Sequence, residues 1–274
     1  MTLANTKSIT SPIKWFGGKH YMAKEIISLL PNHKVYVEPF GGGGHILTQK
    51  KSSKIEVYND IDADLVNFLM VLRNRRDELI ERLADLPSSR FLCQKWQREP
   101  LPEDELERAT KWFYLLRQRI SPRNASLVSG WRASKDISTA VDYQNALKKL
   151  KAFEERWRRV MIECVDFRRV FEIYDSPDTV FVVDPPYVGK ESQYKGNFSY
   201  QDHVELAEIL SNIQGNAIVT YYECDLVNRL YSGWNRVKKD GYVGSSVVKN
   251  KEKRKIEKEL ILMNFEEVQQ LSFF

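Results

Sequence analysis

Short runs of β-branched and aromatic residues alternate along the chain with segments of helical spacing, and this alternation restricts the fold more than any other feature. VYVEPF (35–40), IEVYND (55–60), TVFVVDPPY (179–187), NAIVTYYE (216–223) and ELILMNF (259–265) are apolar and closed by turn residues, the pattern of buried strands. Residues 20–30 and 61–75 carry apolar side chains at helical spacing, with Leu65, Phe68, Leu69 and Leu72 on one face. SYQDHVELAEIL (199–210) opens on Ser199, a good helix cap. Strands alternating with helices predict an α/β fold, a mostly parallel sheet with helices on both faces. Residues 76–165 have a different texture. KWFYLLRQRI (111–120) is an apolar-aromatic helix, SPRNASLVSGWRASKDISTA (121–140) a long polar loop, and helix resumes through 141–161. The expected architecture is one α/β domain built from residues 1–75 and 166–274, with a helical insert at 76–165.

Composition narrows the function classes. Lys and Arg total 42 against 37 Asp and Glu, a net charge of +5, and 42% of residues are hydrophobic. No apolar run approaches the ~20 residues of a membrane helix, and MTLANTKSITSPIKW lacks a signal-peptide core. Three widely spaced cysteines, Cys93, Cys164 and Cys224, argue against a disulfide framework or a cysteine zinc site, and with four scattered histidines no metal site is expected. A cytoplasmic protein is expected. The positive charge is clustered in KKLKAFEERWRR (148–159), in KNKEKRKIEK (249–258) and in several arginines. Such clusters suit phosphate contact; a solvated helix face with interleaved Glu154 and Glu155 explains 148–159 equally well.

Two glycine turns and one acidic turn carry the chemistry. VEPF runs into Gly41–Gly44 and then a helix, and the missing Cβ atoms let a ligand approach the backbone. Nineteen residues after Gly41 stands Asp60, at the end of the next strand, placed to accept from ribose hydroxyls. The spacing GxGxxG fails at Ile46 and Leu47 and no GxxxxGK[ST] is present, so NAD and ATP are poor candidates. A plain mobile turn is the alternative for this run. A second turn, KWFGGK (14–19), offers ring, open backbone and cation together. Asp184-Pro185-Pro186-Tyr187 ends a strand in a rigid turn. A carboxylate and the Pro185 carbonyl can accept both N–H bonds of a ring amine, and the Tyr187 phenol can stack on the ring. Two acceptors localise the nitrogen lone pair, which is otherwise delocalised into the ring and poorly nucleophilic.

The order KWFGGK, VEPFGGGG, YNDID (58–62), insert, DPPY resembles the Dam-type S-adenosylmethionine-dependent DNA adenine N6-methyltransferases of the alpha class. The resemblance implies a Rossmann-like methyltransferase sheet with a target-recognition insert, S-adenosylmethionine as methyl donor, and double-stranded DNA as substrate with the target adenine flipped out of the helix. It implies cofactor contacts from Trp15, Lys19, Phe40, Gly41, Gly43, Asp60, Asp166, Phe167 and Asp184. Asp184, Pro185 and Tyr187 are the implied catalytic set, with no metal and no covalent enzyme intermediate. Arg117, Arg119, Arg123, Asn124 and Arg132 of the insert suit base edges and phosphates, and Lys249, Lys251, Lys253 and Arg254 suit the DNA backbone. The segment LLRQRISPRNASLVSGWRAS departs from that of enzymes that modify GATC, which puts a GATC target in doubt. Cytosine N4 methylation and a non-catalytic DNA-binding regulator are the alternatives. A monomer or weak dimer of bacterial or phage origin is expected, with a cognate restriction enzyme as a partner left open.

Overall fold

A computed structural model describes residues 9–120, 128–242 and 256–266. Among them lie seven strands: β1 (Val35–Glu38), β2 (Ile55–Asn59), β3 (Val160–Glu163), β4 (Thr179–Val183), β5 (Asn216–Tyr222), β6 (Asn235–Tyr242) and β7 (Ile256–Met263). The α-helices are α1 (Ala23–Ser28), α2 (His45–Gln49), α3 (Ala63–Asn74), α4 (Arg76–Ala84), α5 (Arg90–Arg98), α6 (Glu105–Gln118), α7 (Thr139–Trp157), α8 (Phe167–Tyr174), α9 (Tyr200–Asn212) and α10 (Asp225–Leu230).

The chain divides into two compact units. One comprises residues 24–41, 52–62 and 160–274, the other residues 1–23, 42–51 and 63–159. The first contains the whole sheet, in the order β3-β2-β1-β4-β5-β7-β6. β3, β2, β1, β4 and β5 run parallel, and β7 is antiparallel to both β5 and β6. This is the mostly parallel sheet of a Rossmann-like methyltransferase, as expected. β4 reads TVFVV and is buried at every position, the signature of a central parallel strand covered on both faces. Every second strand residue, Phe181 and Val183, then Ala217, Val219 and Tyr221, then Leu260 and Leu262, joins one apolar cluster. Val170 and Phe171 of α8, Leu206, Ala207 and Leu210 of α9 and Val227 of α10 complete it. Ser199 caps α9 in a reciprocal capping box with Asp202.

The second unit is helical, from α2 to α7. Phe68 of α3 stacks on Phe113 of α6 (4.9 Å between centroids, 5° between planes), and Trp112 packs on Phe68 and Trp15. Helix was expected through residue 161. Instead α7 ends at Trp157, and residues 160–163 pair with β2 as an edge strand. β3 therefore lies inside the 76–165 segment read as insert, and the compact units meet along the chain at Arg159 and Val160. β6 was also not expected; its sequence NRVKKDGY is too polar to carry a strand pattern.

One side chain ties three strand exits together. Asn59, 1% exposed at the end of β2, donates from Nδ2 to the carbonyls of Pro39 (2.8 Å) and Val165 (3.0 Å). Its Oδ1 accepts from the Val165 N–H at 2.9 Å. Pro39 follows β1 and Val165 follows β3, so this amide spaces the carboxyl ends of β1, β2 and β3. Asn59→Ala strips partners from buried backbone groups and is expected to lower stability by about 2–4 kcal/mol in urea unfolding. A loss under about 0.5 kcal/mol would contradict this role.

Candidate active site

The strand order reverses between β1 and β4. In open parallel sheets the crevice at the carboxyl ends of such a pair is where ligands bind. Phe40 and Gly41 leave β1, Asp60 leaves β2, Asp166 and Phe167 follow β3, and Asp184 to Tyr187 leave β4. The sheet unit thus brings eight predicted residues to one edge from four separate stretches of sequence, Gly41 and Asp60 among them.

Three rings meet at this edge. Phe40 lies 5.4 Å from Phe167 and 5.7 Å from Phe198, and Phe167 lies 5.7 Å from Phe198. Phe198, which immediately precedes the Ser199 cap, carries no site signal in the sequence. Asp60 accepts from the Asp62 N–H at 2.8 Å, a local turn that fixes its carboxylate. Asp166 caps α8 through the Arg168 N–H (3.0 Å) and is gripped by the Arg168 guanidinium, which also lies 4.4 Å over the Phe167 ring. Beyond DPPY the chain returns toward the β2 exit, where Lys195 Nζ meets Asp62 Oδ1 at 2.7 Å.

The acidic turn is tightly held. Thr220 of β5 donates its hydroxyl to Asp184 Oδ1 at 2.6 Å. Pro185 and Pro186 are buried. Tyr187 does not stand open at the edge: it is 7% exposed, 4.7 Å from the Tyr222 ring and 5.7 Å from the Tyr221 ring. Its phenol needs a polar partner inside the sheet, and donates to Glu259 Oε1 at 2.6 Å. Burial, then the negative charges of Asp184 and Glu259, push this phenol well above its ordinary range, so it stays a neutral donor. Burial, Asp184, Tyr222 and Glu259 push Tyr194 upward too. Thr220, Glu259 and Tyr194 have no sequence signal, because only the folded sheet brings them to Asp184 and Tyr187.

In the helical unit the glycine turns are packed rather than open. A Cβ on Gly42 would lie 2.5 Å from the Trp15 ring, and one on Gly18 or Gly43 would lie 2.6 or 2.7 Å from His45 Nε2. Gly44 has φ 58° and would meet Trp157 at 2.3 Å. In the sheet unit Gly41 faces Tyr58 at 2.0 Å. Aromatic side chains of the protein fill the space that Cβ atoms would take at these glycines, so close packing by itself calls for glycine there. Lys19, 5% exposed, donates to the Gly17 carbonyl at 2.9 Å.

The expected DNA-binding arginines divide. Arg119 is 4% exposed and donates from Nε to the Leu115 carbonyl at 3.1 Å; it is built into the end of α6 and does not present itself to a base edge. Arg117 donates to Asp142 (2.9 Å) and to the Pro12 carbonyl (3.2 Å), and Arg132 pairs with the same Asp142. Burial and these two arginines push the Lys14 ammonium down to about 8. Arg123, Asn124, Lys249, Lys251, Lys253 and Arg254 lie outside the described residues. Among the described residues no group of histidine, cysteine or carboxylate side chains could hold a metal, and no helix is long and apolar enough to cross a membrane.

Residues 15–255 match the profile of the D12 class N6 adenine-specific DNA methyltransferases. The chain belongs to this family. The methyltransferase is 29% identical over 264 residues to the type II methyltransferase M.MjaIII of Methanocaldococcus jannaschii, covering 81% of this chain and 88% of that one. It is 24% identical over 218 residues to the DNA adenine methylase of Escherichia coli K12 (73% and 75% covered). It is 23% identical over 247 residues to that of Vibrio cholerae serotype O1 (81% and 84% covered).

His45 gives this methyltransferase a built-in acid sensitivity. Its imidazole is pushed down to about 4 by burial, then by His20 and Lys19, and its Nδ1 is buried without a hydrogen-bond partner. Below pH ~6.5 the unfolded chain takes up a proton that the folded chain refuses, so stability falls as pH falls. Between pH 7 and 4.5 this residue should account for a loss of about 2 kcal/mol, which His45→Gln removes from the urea-unfolding difference. The same acid loss in wild type and variant would contradict this.

Proposed function

We propose that this methyltransferase transfers the methyl group of S-adenosylmethionine to N6 of an adenine swung out of duplex DNA. The observation that carries the reading is the placement of Asp184, its carboxylate held by Thr220, at the exit of the strand adjoining β1. The aromatic trio Phe40, Phe167 and Phe198 suits the adenine of the cofactor, and Asp60 suits its ribose. Trp15 and Lys19 serve the methionine end, where the ammonium complements a carboxylate. When bound, the cofactor supplies an electrophilic methyl carbon on a sulfonium.

The protein's own contribution is positional and electrostatic. Asp184 and the Pro185 carbonyl accept from the exocyclic amine, draw the nitrogen toward a tetrahedral shape and aim its lone pair at the methyl carbon. Tyr187, 7% exposed, meets the base with the part of its ring left open at the edge. Pro185 and Pro186 lend rigidity, because their φ angles are fixed and neither has an N–H to rearrange. Arg132 at the helical unit, with Arg123, Asn124, Lys249, Lys251, Lys253 and Arg254, contacts DNA on the chemistry of its side chain, while Arg117, 11% exposed and bonded to Asp142 and Pro12, braces it from within. Residues 76–165 read the target. The type II designation of the archaeal relative supports pairing with a restriction enzyme of the same specificity.

Incubation with methyl-labelled cofactor and unmethylated duplex DNA, followed by nucleoside analysis, is expected to yield N6-methyladenine. N4-methylcytosine, or no label in DNA, would overturn the reading. Asp184→Ala should cut transfer by about a thousandfold or more with circular dichroism and melting temperature preserved. Turnover near wild type would refute the assigned role of Asp184.

A further inference from the structure

The acidic corner contains a second carboxylate, this one buried, that the proposed chemistry leaves unused. Glu259 lies in β7 beside Leu260, Ile261, Leu262 and Met263, all at most 2% exposed, and is itself 1% exposed. A carboxylate in such a strand is costly to bury unless hydrogen bonds offset the lost hydration. Strand pairing sets Glu259 directly opposite Tyr222 of β5. Thr220 stands two residues earlier on β5, on the same face. From these two strands come the hydrogen bonds that hold both working side chains of the turn: Thr220 to Asp184 and Tyr187 to Glu259, each 2.6 Å.

The turn needs such external anchors. Between Asp184 and Tyr187 stand two prolines, which fix the backbone φ but have no N–H to donate, so the side chains at either end of the turn are oriented by bonds from outside it. Tyr187 is also the one ring of the turn that can meet a planar base. Packing against Tyr221 and Tyr222 confines the ring, and the hydroxyl bond to Glu259 sets its tilt within that packing; without the bond the tilt must be set when the base arrives.

We infer that Glu259 is a positioning residue for methyl transfer, which through the Tyr187 hydroxyl fixes the ring that receives the extruded base. This rests on the adenine methyltransferase reading above. It predicts a coupling that a merely structural acid would not show. Loss of the Glu259 acceptor and loss of the Tyr187 hydroxyl break the same hydrogen bond, and the hydroxyl also meets Thr220, so the two losses together should do no more harm than Tyr187→Phe alone.

The test uses the full chain, methyl-labelled S-adenosylmethionine and a duplex containing the adenine that product sequencing shows to be methylated. Glu259→Ala and Tyr187→Phe are each expected to lower kcat/KM for DNA by about tenfold, the size of one hydrogen bond. Both should weaken the fluorescence of 2-aminopurine placed at the target position, with cofactor affinity unchanged. The double variant should match Tyr187→Phe within about twofold. Glu259→Gln keeps an acceptor oxygen and should stay within about threefold of wild type, which also covers the case in which Glu259→Ala does not fold. Losses that multiply in the double variant would overturn the positioning role. So would wild-type kinetics in Glu259→Ala, or a full tenfold loss in a folded Glu259→Gln. A wild-type protein that methylates no adenine would instead overturn the underlying reading, and this role with it.

Discussion

Parallel pairing of β1 with β4 is the constraint on which the site depends. Val35 lies opposite Thr179 and Val37 opposite Phe181, so residues more than 140 positions apart in sequence leave the sheet side by side. Phe40 and Gly41 emerge from one strand and Asp184 from the other. Hydrophobic burial holds the pair: Val37, Phe181 and Val183 are fully buried in one cluster. Because β2 extends the sheet from β1 while β5 extends it from β4, the connecting chains diverge to opposite sides and leave a crevice. Every functional assignment at this edge follows from that register, and a slip by one residue would turn the strand side chains to the opposite face.

Around this crevice the polar groups are pre-arranged at some expense in stability. Asp184 is held by Thr220, Tyr187 by Glu259, Asp166 by Arg168, and the strand exits by Asn59. Burial, then the two nearby carboxylates, raises the phenol's proton affinity, and the carboxylates keep the turn electronegative. That field suits an amine whose nitrogen gains positive charge as it is methylated. The same hydrogen bonds limit motion at the turn, so the reacting groups need little reorganisation when substrate arrives.

Much of the sheet was legible because its central strands are dense in β-branched residues. VYVE, IEVYN, TVFVV and NAIVTYY announce themselves through composition and terminal turn residues. The two edge strands did not. β3 is four residues long, follows directly on a nineteen-residue helix and is half-solvated; β6 is charged, as edge strands often are to discourage pairing with other chains. At the candidate site, Asp184 and Phe40 were legible as candidates from motif order, and Phe167 from the family resemblance. Asn59, Thr220, Phe198 and Glu259 were not, since their roles come from pairing between strands and loops distant in sequence. The glycine run was legible as a special turn, but its physical reason is the close approach of Trp15, His45, Trp157 and Tyr58. Arg119 illustrates the opposite error: a cation next to a polar loop looks like a DNA contact until its burial and its bond to Leu115 are seen.

The central claim is that a rigid acidic turn accepts from the amine that is methylated. A crystal structure of the protein with duplex DNA and a non-transferable cofactor analogue tests this most directly. The account predicts an extruded adenine whose N6 lies within hydrogen-bond distance of both an Asp184 carboxylate oxygen and the Pro185 carbonyl. An adenine bound with N6 turned away from Asp184, or a cofactor seated away from the β1–β4 crevice, would contradict it.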